Sequence, residues 1–281
     1  MKIDLHTHTF YSDGSFSPKF VIDRAIKRNV KYLAITDHNV IKGLKEAVNY
    51  SKDKPIKFIP GIEFSARVSL CKDEIHLVGL YFNIDNKKLN DFSQEIIVNK
   101  LDKTKNRLNL LNQKLSTCIT INDVKKKTLG VPGLPHIWMV LVDLGLAKDL
   151  KEAREIVNKN LESLKSDKDK NIHVKDAIEL IHNAGGVAIL AHLSAYKNEN
   201  KFKTHKEQED LVKELVSYGL DGIEIYIPNL SEEDKNFGET ICKKYKLKAS
   251  IGSDFHNEEF IPQNKIGFLD IDKEKITILR D

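Results

Sequence analysis

At 281 residues, 41% of them apolar and 31% charged, the chain is too rich in core-forming residues to be disordered and suits one large domain with an insertion. Lys and Arg (45) barely exceed Asp and Glu (41), and a charge of +4 neither demands nucleic acid nor forbids a local basic patch for a phosphorylated ligand. Cys71, Cys118 and Cys242 are scattered with no CxxC, which excludes a disulfide framework and a zinc ribbon, and no apolar run reaches the roughly 18–20 residues of a membrane span.

Residues 3–5 form a short apolar stretch that runs straight into His6-Thr7-His8. With no apolar leader before them, a reducing, cytoplasmic setting is expected, with no membrane and no evident protein partner. Ser17-Pro18 supplies an N-cap and a first-turn proline for a helix to about residue 28. Residues 31–36 read as a buried strand with Asp37-His38 at its end. A helix over 41–50 and a strand over 57–62 follow, the strand ending at Glu63, and residues 74–82 read as a strand carrying His76. Alternating strands and helices predict a parallel sheet covered by helices.

The rhythm breaks near Leu89 and resumes near Val174. Between them Leu101, Leu108, Leu111 and Leu115 fall at helical spacing, 130–135 is a turn, 137–146 and 151–164 look helical, and 165–170 is a charged linker. The chain therefore divides into a first barrel part (1–89), a helical insertion (90–172) and a second barrel part (173–281). In the second part, 174–183 is a helix closed by Gly185-Gly186, and 187–191 is a strand ending at His192. A helix over 207–218 precedes a strand over 222–226 that contains Glu224. Ser231 to Asp234 opens a further helix as a capping box, and the last strand, 248–252, ends in Ser253-Asp254-Phe255-His256.

Nearly every predicted strand carries His, Asp or Glu at or near its C-terminal end, and in a closed parallel barrel those ends converge on one mouth. His6 and His8, two apart on an extended segment, project to one side, as do Asp254 and His256. Singly, each residue has an ordinary reading: Asp13 as an Asx turn, His76 and His192 as core histidines. A carboxylate or imidazole against a buried edge needs partners, and all the strand ends together point to a metal site. His173, His182 and His205 read as ordinary surface or helix histidines. His136 sits in a structured turn, Gly133-Leu134-Pro135-His136, inside the insertion.

HTHTFYSDG (6–14), TDH (36–38), GIEFS (61–65), IHLVGLYF (75–82), AGGVAILAH (184–192) and GSDFH (252–256) resemble the motifs of the PHP (polymerase and histidinol phosphatase) family. The insertion followed by AGG…AH is similar to the branch that dephosphorylates nucleoside 3′,5′-bisphosphates and trims 5′-phosphorylated RNA. The resemblance implies an α/β fold, a distorted (β/α)7 barrel with a helical insertion, holding three divalent metal ions. His6, His8, Glu63 and Asp254 would hold the first; Glu63 would bridge to a second held by His76 and His192; Asp13, His38 and His256 would hold the third. Asp37 would orient a ligand histidine through its ring N–H. Such mixed His/carboxylate sites suit Mn, Zn or Fe.

The expected activity is hydrolysis of a phosphate monoester, or of a terminal phosphodiester, in a nucleotide or 5′-phosphorylated oligonucleotide by metal-activated hydroxide. Asp254 or His192 would take the proton, and Arg67 and His136 would hold a distal phosphate. Two positions depart from the branch: Leu134 stands where it has an arginine in Gly-Arg-Pro-His, and Leu193 where it tends to have proline. A phosphatase of a small metabolite such as histidinol phosphate, a metal-dependent amidohydrolase and a non-catalytic metal-binding module are the alternatives.

Overall fold

A computed structural model describes residues 1–128, 130–161, 171–198, 201–258 and 262–280; the expected 165–170 linker lies outside them. Strand β1 (Lys2–Asp4) leads to helix α1 (Pro18–Lys27), where Ser17 caps the N-terminus by accepting from the Phe20 amide at 3.1 Å and Val21, Ile22 and Ala25 face inward. β2 (Val30–Ile35), α2 (Leu44–Ser51), β3 (Lys57–Val68) and β4 (Cys71–Leu80) complete the first part of the barrel. The insertion is α3 (Lys87–Leu115), α4 (Ile121–Lys125), α5 (Leu134–Asp143) and α6 (Leu150–Asn160). The chain then returns through β5 (Ile172–His173), α7 (Val174–Asn183), β6 (Val187–Leu190), α8 (Ala195–Asn198), α9 (His205–Ser217), β7 (Gly222–Tyr226), α10 (Glu232–Tyr245) and β8 (Lys248–Ile251). None of the described helices is long and apolar enough to cross a membrane.

The strands follow the order β1-β2-β3-β4-β6-β7-β8, with β5 paired to β3 off this path. The two edges meet: the Leu5 amide donates to the Ile251 carbonyl at 3.0 Å and the His8 amide to that of Phe255 at 2.8 Å. Seven strands thus close into a ring. The all-parallel expectation fails at β4, which runs antiparallel to both β3 and β6. The cause is the connection, because only Ser69 and Leu70 separate β3 from β4, and two residues make a hairpin but cannot carry a chain back for parallel pairing. The hairpin also carries β3 six residues past Ile62, so Arg67 lies within a strand instead of beyond its end.

The barrel strands are lined by buried Ile, Leu, Val and Ala, and the insertion has its own apolar cluster, including Leu108, Leu111, Ile137, Leu141 and Val157. It docks against the loop that follows β1. Thr128 donates to the Phe10 carbonyl at 3.1 Å, and a Cβ at Gly130 would lie 1.8 Å from that same oxygen, so only glycine permits the approach.

Candidate metal centre

His6 and His8 lie on the extended segment after β1, with Thr7 between them turned outward. The Thr7 hydroxyl donates to the Ala34 carbonyl at 2.7 Å and its own carbonyl accepts from the Thr36 amide at 2.8 Å, so neighbouring backbone enforces the alternation. Both imidazoles therefore point into the mouth of the barrel, fully buried, toward Glu63. Five histidine nitrogens surround that one carboxylate. Oε2 lies 3.2 Å from His6 Nε2, 3.1 Å from His8 Nε2 and 3.1 Å from His38 Nδ1; Oε1 lies 3.0 Å from His76 Nδ1 and 3.3 Å from His192 Nε2. Asp254 Oδ1 adds contacts of 3.1 Å to His8 and 3.4 Å to His6, and Asp13 lies 3.2 Å from His256 Nε2 and 3.6 Å from His38 Nε2.

His192 and Asp254 turn inward because the backbone leaves the extended region there, with φ of +32° and +52°. Positive φ costs energy in a residue with a side chain and persists where the surroundings over-determine it. His76 reaches the mouth by another route, from the interior of β4, where it faces Ser65 across the hairpin.

Side-chain donors and acceptors sort into three groups whose atoms converge: His6, His8, Glu63 and Asp254; His8, Asp13, His38 and His256; and His38, Glu63 and His76. All nine residues expected from the sequence gather at one place. His192 joins through Glu63 and through His76 Nδ1, 3.1 Å from its Nε2, without belonging to one of the three groups.

The donor set fits divalent cations. His6 Nε2, His8 Nε2, His38 Nδ1, His76 Nε2, His192 Nδ1 and Glu63 Oε2 are buried, and their close contacts lack hydrogen-bond geometry, so no described residue satisfies them, a costly state for polar atoms in an ordinary core. In the protein alone the charges resolve unevenly. Burial works against a charged His8, yet Asp254 and Glu63 raise it to about 10; His76 is raised against burial to about 10 by Glu63 and Glu74; burial pushes His38 down to about 3. Burial opposes ionised Glu63, but the surrounding histidines hold it well below the usual carboxylate range. Protons supply the positive charge that cations would supply, and histidines must lose them to become ligands.

Asp37 meets no histidine ring directly. It accepts from the Thr9 amide at 2.8 Å and from the hydroxyls of Thr9 and Ser12, each at 2.7 Å, so it anchors the loop after His8 and reaches that ring only through Ser12, whose Oγ lies 3.4 Å from His8 Nδ1. Glu224, not singled out from the sequence, has the position expected of Asp37. Its oxygens lie 3.1 and 3.2 Å from His6 Nδ1, and Oε2 accepts from the His192 backbone amide at 2.9 Å. One carboxylate thus orients candidate ligands from two strands. A Cβ at Gly252 would lie 2.1 Å from Glu224 Oε1 and 2.2 Å from His6 Cβ, so glycine makes room for that contact. A charged residue inside the apolar run Gly222-Ile223-Glu224-Ile225-Tyr226 was the available signal.

Two cavities flank the cluster. One, of about 390 Å³, is lined by His192, Asp254, Asn229, Asn264, Ser194 and Gln263 among others. The other, of about 510 Å³, lies against the insertion and is lined by His76, Asp13, His136, Lys100, Lys103 and Arg107. His136 Nδ1 accepts from the Gly133 amide at 3.0 Å and burial holds its pKa below the ordinary histidine value, so the neutral ring carries its proton on Nε2. Leu134 lines the same cavity. Arg67 does not reach either cavity; it is exposed on the hairpin, and its Nε donates to the Asn171 carbonyl at 3.1 Å.

Residues 4–226 match the PHP domain family. The chain is 29% identical to a 5′-3′ exoribonuclease of Haemophilus influenzae, over 91% of this chain and 90% of that one. It is 30% identical to a 3′,5′-nucleoside bisphosphate phosphatase of Chromobacterium violaceum, over 90% and 87% of the two chains. A solved structure of an amidohydrolase from Chromobacterium violaceum, with bound sulfate and no metal, superimposes with a TM-score of 0.75 at 27% identity, covering 95% of this chain and 90% of that one.

Proposed function

The chain belongs to the PHP domain family, and from that premise we propose that it is a metal-dependent phosphoesterase acting on nucleotides or 5′-phosphorylated oligonucleotides. The observation that carries the reading is Glu63, whose two oxygens face separate histidine sets in the manner of a bridging carboxylate. His6, His8, Glu63 and Asp254 would hold one divalent ion, Glu63, His76 and His192 a second, and Asp13, His38 and His256 a third, with Mn, Zn or Fe suited to the ligand types. When bound, such ions neutralise phosphoryl oxygens and make water acidic enough to react near neutral pH. Asp254 and His192 line the 390 Å³ cavity and are the groups placed to receive the proton of the attacking water.

Selectivity falls to the second cavity. Lys100, Lys103 and Arg107 share one face of α3 and, with His136, form a basic wall beside the cluster, which replaces Arg67 as the place for a second phosphate and compensates for Leu134. That wall suits a dianion and disfavours the ammonium group of histidinol phosphate. One relative is named as a phosphatase of 3′,5′-nucleoside bisphosphates, a substrate of this two-phosphate kind, and another as a 5′-3′ exoribonuclease.

A screen for phosphate and nucleotide release with added Mn²⁺, across nucleoside bisphosphates, 5′-phosphorylated RNA, sugar phosphates and histidinol phosphate, tests the reading. It predicts the highest kcat/KM among the first two classes; a clear preference for an uncharged-tail or amine-bearing metabolite would overturn it. Within that screen, His136→Ala should raise KM for adenosine 3′,5′-bisphosphate by roughly tenfold to a hundredfold, the range for losing a hydrogen bond to a charged group, while sparing an aryl phosphate. Equal losses on both substrates would place His136 in the catalytic apparatus.

A further inference from the structure

We infer that the cleft between the barrel and the insertion receives the chain of a single-stranded oligonucleotide beyond the phosphate being hydrolysed, with Trp138 as its stacking platform. The inference rests on the phosphoesterase reading above and extends it from the reacting phosphate to the length of substrate. The cleft has a volume of about 1070 Å³, larger than either cavity that flanks the cluster. It starts at Asp13 and His256, two of the candidate ligands, and shares Pro135 and His136 with the basic cavity. A chain held at the ions can therefore leave through it.

The walls have the chemistry of a single-strand groove. Phe10 on the barrel loop and Trp138 on α5 present aromatic surface, and Lys151 and Arg154 on α6 present cations. The Arg154 guanidinium carbon lies 5.7 Å from the centroid of the Trp138 ring, a cation beside a π-face. Alternating aromatic and cationic contacts suit the alternating bases and phosphates of a single strand without selecting a sequence. Asp149 also lines the cleft, but its carboxylate is engaged at the start of α6, where it accepts from the Glu152 amide at 2.8 Å. A nucleoside bisphosphate meets its needs at the ions and the Lys100 wall and leaves this cleft unused; a longer chain does not.

Trp138 is the only tryptophan in the sequence, so emission excited at wavelengths beyond tyrosine absorption reports on this site alone. Metal-loaded protein should show saturable quenching or a spectral shift with a 5′-phosphorylated pentaribonucleotide carrying hydrolysis-resistant phosphorothioate linkages, and none at matching concentrations of 5′-AMP. In kinetics, Trp138→Ala and Arg154→Gln should each raise KM for the natural pentaribonucleotide about tenfold or more, the scale of losing one stacked base. Both variants should leave kcat and the bisphosphate and aryl phosphate reactions unchanged, and Trp138→Phe should restore the pentamer KM. Unchanged fluorescence with the pentamer, a signal that follows protein concentration as self-association would, or equal KM losses on the bisphosphate would overturn the inference. If aryl phosphate is turned over and no nucleotide is, the proposed function falls, and the fluorescence titration alone then decides the cleft.

Discussion

Glu63→Gln should lower kcat/KM for phosphate-ester hydrolysis on the order of a thousandfold, while the protein folds normally. The carboxamide matches the carboxylate in size and the position is fully buried, so packing is preserved. What is lost is the negative charge around which five histidine nitrogens gather at 3.0 to 3.3 Å. A Gln side chain has a single accepting oxygen and cannot join two cations, so the histidines on one side of it lose their shared partner. Loss of one ion's contribution, worth several kcal/mol, corresponds to about three powers of ten in rate. Activity within tenfold of the natural protein would remove Glu63 from the bridge.

Glu224→Gln should weaken metal binding about tenfold to a hundredfold, the usual scale for a group that orients a ligand histidine. Glu224 is a positioning residue, since it touches His6 Nδ1 and the His192 amide and no part of the mouth where substrate would arrive. The amide keeps the shape but places an N–H₂ group beside a donor and removes the charge that would make His6 a stronger metal ligand. Activity at limiting Mn²⁺ should fall, and saturating Mn²⁺ should restore most of it. A loss that excess metal leaves untouched would show that Glu224 acts in the chemistry and not through His6.

Much of the candidate site was legible because its residues stand where strands end. His6 and His8 are fixed by two-residue alternation, and His38, His192, Asp254 and His256 each follow an apolar run whose end the sequence marks. β4 was misread because an apolar run has no direction: Ile75, Leu77 and Val78 look the same in a parallel or an antiparallel strand, and Ser69-Leu70 lacks the Gly or Asn that announces a tight hairpin. Arg67 was misplaced by the same hairpin, since strand pairing with β4 extends β3 beyond its apolar stretch. Glu224 escaped the sequence reading because which histidine a buried carboxylate meets depends on closure of the ring, which lets Glu224 on β7 reach past β8 to His6 after β1. Lys100, Lys103 and Arg107 were hidden in a lysine-rich helix where only docking distinguishes the inward face from the solvated one.

Whether this cluster works with bound metal is decided by one titration. Protein stripped by a chelator is reloaded stepwise with Mn²⁺ while bound metal per chain and phosphate release from adenosine 3′,5′-bisphosphate are followed together. The stripped protein should show no turnover, and activity should keep rising past one bound ion per chain, in step with filling of the groups around Glu63. Full turnover in the presence of chelator, or saturation of both signals at a single ion, would contradict this expectation.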